Sequence, residues 1–376
     1  MPSFSNSKKR LIRIGIDGGD FVSFGKVDSG IKRIVDSFLR EIGKLKSEDY
    51  IFNYYYFGKS ELKKKVANIN FIRLPEKFFA SIFLPIQFIK DRNSLFLGFS
   101  GYLPSLISLI NTKRVVFLYD LGFIKYPQFY SNPKKLKNNL TRVMKLADKI
   151  ITLSDYSKKQ ITKYFSADEK KIVRLYPGLD HFAGKNLINQ LIKFKYFLYV
   201  GVIKPIKNIE GLFKRFYQFL QLSPEKKYYL ILIGEKEEEY FNSLLTNGDY
   251  KKIKRKVIFL NNISDDELVN YYLKATALLN FSHEEGFCFP VLEALSFGKK
   301  AIVNDLPIYH EFEDKFDNLL VGKNEREIVQ LMVGEAERVN RYDRNKRPKE
   351  GVIFKWRDFT EKLLEIITGV ISNPVE

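Results

Sequence analysis

The chain has 376 residues, of which 45% are hydrophobic and 28% charged, a composition that predicts a globular protein of two domains. Its single cysteine, Cys288, excludes a disulfide framework and a thiolate metal cluster, and its three histidines lack metal-ligand spacing. The formal net charge is +19, and residues 1–176 hold 33 Lys and Arg against 15 Asp and Glu. We therefore expect the first half to meet an anionic partner such as a phospholipid surface, a lipid diphosphate or nucleic acid. A lysine-rich surface kept for solubility is the alternative.

Neither a signal peptide nor a membrane span is predicted. Residues 1–10 are polar and basic, and no apolar segment follows them. No stretch of about 20 apolar residues occurs, and the most apolar run, residues 78–89, is interrupted by Pro85. We expect the protein in a reducing, cytoplasmic compartment.

Apolar runs alternate with helical periodicity through the first half. Strands are predicted at residues 11–17, 50–57, 71–74, 94–100 and 114–119, and helices at residues 31–42 and, with a basic surface, 126–149. The loop between the first strand and the first helix contains Gly18, Gly19, Gly25 and Gly30, which would let a ligand approach the backbone closely. Its spacing is not G-x-G-x-x-G, so it is not a dinucleotide fingerprint.

One basic and apolar stretch has two interpretations. Three lysines at residues 63–65 precede residues 71–79, in which Phe and Leu are mixed with Lys and Arg. This composition is compatible with a position in a membrane interface. A helix that faces the core and has a solvated basic side is the alternative.

The second half repeats the alternation. Strands are predicted at residues 196–201, 228–234, 257–260, 276–281 and 300–304, and helices at residues 209–220, 291–297 and 356–369. Ser264 and Glu267 have the spacing of a capping box, and Ser154 is a predicted N-cap. Pro290 suits the start of helix 291–297, and Gly298 suits its end. Two such series predict an α/β protein with two parallel sheets.

The pattern Glu285-x7-Glu293 places two carboxylates beside the start of the helix at residues 291–297. Free N–H groups at a helix start bind anions, and a carboxylate accepts two hydrogen bonds from a vicinal diol. A nucleotide sugar has both a phosphate and diols. The alternative is an acidic loop followed by a helix acid that only complements the helix dipole.

Residues 285–305 (EGFCFPVLEALSFGKKAIVND) resemble the E-x7-E segment of the retaining family-4 glycosyltransferases. Residues 147–157 resemble that family's "ADxIITxSxxS", residues 173–180 its "xYPGxD", residues 201–208 its "GxxxPxKN" and residues 263–268 its "VSDEEL". The resemblance covers roughly residues 11–367 and implies a GT-B fold, in which two Rossmann-like parallel-sheet domains face each other across a cleft. The implied divisions are an acceptor-side domain at residues 1–180, a linker at 181–195, a donor-binding domain at 196–355 and a C-terminal helix at 356–376 that crosses back.

The resemblance also implies roles in binding the donor. Glu285 is expected to hold sugar hydroxyls and Glu293 the ribose diol. Lys207 is expected to bind the donor diphosphate together with the backbone amides of four residues, Gly286, Phe287, Cys288 and Phe289. Cys288 stands where the family usually has glycine, and we interpret its thiol as a packing group. Val202 occupies a position where many members have arginine, and Lys204 is the candidate to replace it. Ile263 is expected to border the nucleotide base.

Three further positions follow from the resemblance in the first domain. Tyr119 replaces a histidine that touches the donor sugar, while Asp120 matches the family's residue, and we assign it to the catalytic group with Glu285 and Lys207. Gly25, Ser29 and Gly30 form the predicted acceptor-side loop.

The implied reaction is retaining, metal-independent transfer of a hexose to a hydroxyl of a glycan, without a cofactor. The Pro-x-Lys-Asn loop favours mannose or rhamnose, with GDP-mannose as donor. The basic first half favours a lipid-linked acceptor in cell-surface polysaccharide assembly, at an anionic membrane surface on the inner face of the plasma membrane. The sequence leaves the oligomeric state open. Two alternatives are a GT-B nucleotide-sugar epimerase and a basic nucleic-acid-binding protein, although no nucleic-acid motif is present.

Overall fold

The computed structural model describes residues 11–19, 30–45, 49–58, 66–183, 192–223, 227–338 and 354–372. Lysines 63–65, Gly25, Ser29 and most of the predicted linker lie outside these ranges. No helix in the described part of the chain is both long and apolar enough to cross a bilayer.

The first half forms a parallel sheet of seven strands in the order β3-β2-β1-β4-β5-β6-β7. The strands are β1 (Ile12–Gly19), β2 (Tyr50–Tyr56), β3 (Ile69–Arg73), β4 (Leu95–Gly98), β5 (Lys113–Phe117), β6 (Lys149–Thr152) and β7 (Ile172–Arg174). The helices are α1 (Gly30–Ile42), α2 (Leu84–Lys90), α3 (Gly122–Lys125), α4 (Pro133–Leu146) and α5 (Asp155–Phe165). Helices cover both faces of the sheet. Neighbouring residues of β2 therefore enter different cores, Tyr54 beside Phe38 of α1 and Tyr55 beside Phe88 of α2.

The second half forms a parallel sheet of six strands in the order β10-β9-β8-β11-β12-β13. The strands are β8 (Lys195–Val200), β9 (Tyr228–Ile233), β10 (Val257–Leu260), β11 (Leu278–Asn280), β12 (Ala301–Asn304) and β13 (Leu319–Gly322). The helices are α6 (Ile209–Leu222), α7 (Glu238–Thr246), α8 (Gly248–Ile253), α9 (Asp265–Lys274), α10 (Phe289–Ser296), α11 (Pro307–His310), α12 (Glu325–Arg338) and α13 (Trp356–Ser372).

The last helix, α13, returns to the first sheet. Phe359 packs on Phe117 of β5 with ring centroids 6.2 Å apart, and Thr368 Oγ1 lies 2.8 Å from the Tyr50 hydroxyl. The crossing is tight at Gly178, where a Cβ would lie 2.3 Å from the Trp356 backbone nitrogen. A glycine is required there because no side chain fits between the two segments.

Local signals at helix ends are confirmed. The Ser154 hydroxyl accepts from the Ser157 amide at the start of α5, and Ser264 forms the predicted capping box with Glu267 at the start of α9. Gly298 follows α10 with φ +70°, the left-handed conformation of a C′ glycine.

Two helical predictions in the first half are wrong. The helix predicted over residues 126–149 divides into a 3₁₀ turn, Pro127–Phe129, and α4, because Asn132 caps a new helix start before Pro133. Residues 71–79 do not form a core-facing helix. They leave strand β3 at Arg73, and a single π-helical turn, Phe79–Phe83, leads into α2.

Candidate functional site

A cavity of about 390 Å³ lies between the two sheets, at the carboxyl ends of their strands. The first domain contributes the start of α1 and the residues that follow β5, and the second contributes the loops after β8 and β11 and the start of α10. Every predicted site residue in the described part of the chain lines this cavity: Gly30, Tyr119, Asp120, Lys204, Lys207, Ile263, Glu285, Gly286, Phe287, Cys288, Phe289 and Glu293. Residues far apart in sequence therefore meet at one sheet edge, as expected for parallel α/β domains.

The loop before α10 passes directly against the first domain. A Cβ at Gly286 would lie 2.1 Å from the Tyr119 carbonyl oxygen, so only glycine permits this approach. The Ser154 hydroxyl donates to the Gly286 carbonyl at 2.6 Å and fixes the contact. Cys288 has φ +62°, in the left-handed region that favours glycine. This conformation gives a physical reason for the glycine that the resembled motif has at this position.

The same loop presents unpaired amides to the cavity. The N–H groups of Gly286, Phe287 and Cys288 donate no hydrogen bond to the described part of the chain. They lie next to the start of α10, where the helix dipole is positive. Burial raises the pKa of the Cys288 thiol, which stays neutral and packs. The arrangement is suited to holding an anion.

Glu285 and Lys207 form an ion pair that lines the cavity, in which Glu285 is buried and the Lys207 side chain is 20% exposed. Glu285 Oε1 accepts from Lys207 Nζ at 2.7 Å, from the Ser282 hydroxyl at 2.7 Å and from Asn280 Nδ2 at 3.4 Å. Burial would raise the pKa of Glu285, but Lys207 and the hydrogen bonds hold it below its ordinary value. Burial would lower the pKa of Lys207, and Glu285 raises it instead. Both groups are therefore charged at neutral pH, and Glu285 Oε2 has no partner among the described residues.

Lys204 supplies a second cation beside the pair. It precedes the 3₁₀ turn Pro205–Lys207, after which Asn208 caps α6 by accepting from the Gly211 amide at 3.1 Å. Burial, and then the charge of Lys207, lower the pKa of Lys204. Within the described ranges its ammonium group has no carboxylate partner, so it is available to an anion in the cavity.

Glu293 also lines the cavity, among other neighbours than those of Glu285, and is 2% exposed. Its Oε1 contacts Arg33 Nε of α1 at 3.3 Å and His181 Nε2 at 2.9 Å, and its Oε2 accepts from the Tyr272 hydroxyl at 2.6 Å. Trp356 Nε1 donates to His181 Nδ1 at 3.3 Å, so the proton of the neutral imidazole is on Nε2 and points to Glu293. Burial would raise the pKa of Glu293, but Arg33 and these hydrogen bonds lower it to about 2.

Further carboxylates tie the two domains together. Glu284 of the second domain accepts from Lys125 Nζ at 2.9 Å and from the Tyr156 hydroxyl at 2.6 Å, both in the first domain. Glu311 accepts from the backbone amides of Asp155 and Tyr156, at 2.9 and 3.0 Å, and so caps α5 from the opposite domain. The two domains are therefore in direct contact beside the cleft.

Tyr119 and Asp120 line the first-domain side of the cavity. The Tyr119 hydroxyl donates to the Phe99 carbonyl at 2.8 Å, so it can offer a ligand only an acceptor oxygen. Asp120 is exposed, and its Oδ1 accepts from the Gly122 amide at 2.9 Å. Gly30 begins α1 with its Cα close to the Phe289 ring.

Comparison with solved structures settles the architecture. Sucrose-phosphate synthase from Thermosynechococcus elongatus superposes with a TM-score of 0.72 at 16% identity, over 96% of this chain and 99% of that one. Anabaena Alr3699/HepE in complex with UDP-glucose superposes with a TM-score of 0.69 at 12% identity, over 95% and 100%. This chain has the GT-B fold.

Sequence comparison matches part of this GT-B chain to a family model and to curated relatives. Residues 187–347 match the family model "Glycosyl transferases group 1". O-antigen chain mannosyltransferase RfbU of Salmonella typhimurium is 29% identical over 199 residues, which cover 53% of this chain and 54% of the relative. The chain spans about half the length of the curated relatives it matches.

The predicted GT-B fold is confirmed, whereas the assignment to family 4 and the roles of the two E-x7-E carboxylates stay predictions. Sequence reasoning missed Arg33, which lines the cavity, and His181 and Tyr272, which bond Glu293 from behind it. The sequence signal for His181 is its place directly after the "xYPGxD" segment.

Proposed function

We propose that this protein is a retaining glycosyltransferase that moves a hexose from a nucleoside diphosphate sugar to a hydroxyl of a glycan. One observation carries the proposal. A single interdomain cavity is lined by Lys207, by amides without a partner among the described residues, and by two buried carboxylates with separate sets of neighbours, Glu285 and Glu293. These groups suit the three parts of such a donor, which are a sugar, a diphosphate and a ribose. The cavity volume lies in the usual range for small-molecule sites.

The diphosphate is assigned to Lys207, Lys204 and the amides of residues 286–288. As the glycosidic bond breaks, the sugar becomes oxocarbenium-like and the departing nucleoside diphosphate gains negative charge. Donors that are fixed before the reaction stabilise that charge without reorganising. Lys207 is held in place by Glu285 at 2.7 Å, so its position does not depend on the ligand.

The donor sugar is assigned to Glu285. Its Oε1 is occupied by protein donors, and its Oε2 is open to a sugar hydroxyl. Because the pKa of Glu285 is lowered, the carboxylate is ionised at neutral pH and accepts strongly. Asp120 lines the first-domain side of the cavity, is exposed, and could orient an incoming acceptor.

The ribose is assigned to Glu293, where three protein contacts already exist. A carboxylate has about four acceptor positions, so both hydroxyls of a diol fit only if one present contact is given up. The Arg33 contact, at 3.3 Å, is the longest of the three and comes from the opposite domain. Donor binding would then exchange Arg33 for the ribose and leave His181 and Tyr272 in place.

Retention follows if the acceptor oxygen attacks the anomeric carbon from the side that the diphosphate leaves. The departing phosphate oxygen takes the acceptor proton, so the bond from carbon to phosphate oxygen is replaced by one to the acceptor oxygen, and no metal or cofactor enters. The mannosyltransferase relatives support mannose as the sugar and GDP-mannose as the donor, and O-antigen synthesis in their names supports a lipid-linked glycan acceptor.

The test is a donor screen followed by an acceptor assay. Nucleoside diphosphate sugars are first screened by thermal shift, and GDP-mannose is expected to give the largest stabilisation. Release of GDP from GDP-mannose is then measured with and without a lipid-linked glycan in the presence of EDTA, and the anomer of the product is read by NMR. Acceptor-dependent release with a retained anomer is expected. A changed sugar nucleotide formed without acceptor would identify an epimerase instead, and failure of every nucleotide sugar to bind would overturn the proposal.

A further inference from the structure

An exposed apolar surface covers the outer side of the helical segment between β3 and β4. Its five side chains, here called the α2 face, are Phe78, Ile82, Phe83, Ile86 and Ile89, which are 56%, 40%, 37%, 45% and 55% exposed. Four of them, at positions 78, 82, 86 and 89, are spaced four, four and three residues apart, which places them along one side of a helix. Large apolar residues this close together are unusual on a soluble surface.

The opposite side of the same segment already has its packing partners. Phe79, Leu84 and Phe88 are buried against Tyr55 and Phe96 of the first sheet. The side chains of the α2 face therefore take no part in the hydrophobic core. The stability of the fold does not explain why they are apolar. Phe78 also has φ +64°, a conformation that bulky L residues rarely adopt, and it holds its ring outward.

Cations lie at both ends of the α2 face. Lys77 is exposed beside Phe78, with its Nζ 5.4 Å from the ring centroid, and Lys90 and Arg92 are exposed beyond Ile89. Two acids lie near these ends. Glu76 is exposed, whereas the Asp91 carboxylate is bonded to the Tyr55 hydroxyl at 2.7 Å and to Gln87 Nε2 at 3.0 Å. The surface therefore combines an apolar centre with cationic ends.

The α2 face begins at the sheet edge that carries the cleft. β3 and β5 are parallel strands of one sheet, so the chain leaves β3 at the same edge at which Tyr119 and Asp120 follow β5. Four strand spacings separate β3 from β5, which is about 19 Å. An extended partner surface that binds the α2 face would therefore lie near the opening of the cavity.

We propose that the α2 face lies in the interface of an anionic phospholipid bilayer. Its apolar side chains would enter the boundary between headgroups and acyl chains, and Lys77, Lys90 and Arg92 would contact lipid phosphates. A second copy of the chain fits less well, because residues 1–176 carry 33 basic against 15 acidic residues and two such halves repel each other. Membrane docking of this kind does not depend on the transfer reaction, and it would bring a lipid-linked acceptor to the cleft.

The experiment is co-sedimentation of the full chain with vesicles of phosphatidylcholine alone and of phosphatidylcholine mixed with phosphatidylglycerol. The apolar variant is Ile82→Asp with Ile86→Asp, and the charge variant is Lys77→Glu with Lys90→Glu. The matched control is Leu222→Asp, which changes a 63% exposed leucine at the end of α6 in the other domain. Circular dichroism and the thermal shift given by GDP-mannose check that each variant is folded and binds donor as the wild type does.

The wild type is expected to bind the anionic vesicles and to bind neutral vesicles more weakly. Each double variant should weaken anionic binding by about tenfold or more, and the Leu222 control should bind as the wild type does. Absence of vesicle binding by a folded wild type would overturn the proposal, as would binding that both double variants retain. A wild-type dimer in light scattering that the apolar variant dissolves would also overturn it and assign the face to a second copy. None of these outcomes bears on glycosyl transfer, which the donor and acceptor assays test separately.

Discussion

Removing one partner of the buried Lys207–Glu285 pair should destabilise the protein more than removing both. Lys207→Met keeps most of the side-chain volume but leaves Glu285, which is 7% exposed, with only Ser282 and Asn280 as partners. An uncompensated buried charge costs about 3–5 kcal/mol of unfolding free energy. The double variant Lys207→Met with Glu285→Gln leaves no charge and should recover most of that loss.

Urea unfolding followed by the fluorescence of Trp356 measures this effect. Trp356 is the single tryptophan of the chain and is buried where α13 meets the site, so one emission signal reports the unfolding of this region. The control is Lys214→Met, which breaks an ion pair with Glu325 in which both side chains are more than a third exposed, and it should cost less than about 1 kcal/mol. The reasoning is refuted if the single variant at Lys207 loses no more than this control, or if the double variant is as unstable as the single one.

The same pair sets a pH window for its stabilising effect. The pKa of Glu285 is lowered in the folded state, so its contribution is present above its ordinary value of 4.5 and is lost as the pH falls. The pKa of Lys207 is raised, so its contribution is present below its ordinary value of 10.5 and is lost as the pH rises through the folded value. The difference in unfolding free energy between wild type and double variant should therefore be constant between these limits and shrink outside them.

Four further results are expected. Lys207→Ala should raise the barrier to transfer by about 2–4 kcal/mol, measured as kcat/KM with saturating acceptor, and a loss below tenfold would exclude its contact with the diphosphate. Because the pKa of Glu293 is lowered from 4.5 to about 2, Glu293→Gln should lose about 3 kcal/mol of unfolding free energy at pH 7, and most of this deficit should vanish by pH 2. Gly286→Ala should weaken donor binding without unfolding either domain, since its Cβ would lie 2.1 Å from a backbone oxygen of the other domain; wild-type affinity would contradict that contact. Trp356→Phe removes the hydrogen bond to His181 and should raise the KM for the donor more than it lowers kcat, whereas an equal effect on both would indicate a structural role alone.

The features that the sequence predicts correctly depend on neighbouring residues. The caps at Ser154 and Ser264 are each formed within four residues, and the strand that leads into the E-x7-E loop is a short apolar run. Hydrogen bonds and periodicity over such short distances can be predicted directly from the identities of neighbouring residues. Two series of these local elements predict two parallel sheets, whereas the GT-B arrangement of those sheets is what the resemblance to the family-4 motifs implies.

The contacts of Glu293 could not be predicted in the same way. Arg33, His181, Tyr272 and Trp356 come from three helices and one turn, and no local pattern connects them. They meet because α13 crosses between the domains and because both sheets place their strand ends at one cleft. The exposure of Ile86 and its neighbours could not be predicted either, because an apolar helical run has the same composition whether its outer side is buried by a partner or exposed to solvent.

The cap that Glu311 places on α5 has a consequence for movement of the two halves. The carboxylate belongs to one half, and the two amides that it satisfies belong to the other. Any motion that separates the two domains breaks these two hydrogen bonds. It exposes the Asp155 and Tyr156 amides and the Glu311 carboxylate to water. Opening of the cleft is therefore coupled to fraying of α5, and the protection of the Asp155 and Tyr156 amides against hydrogen exchange reports how often the two domains separate.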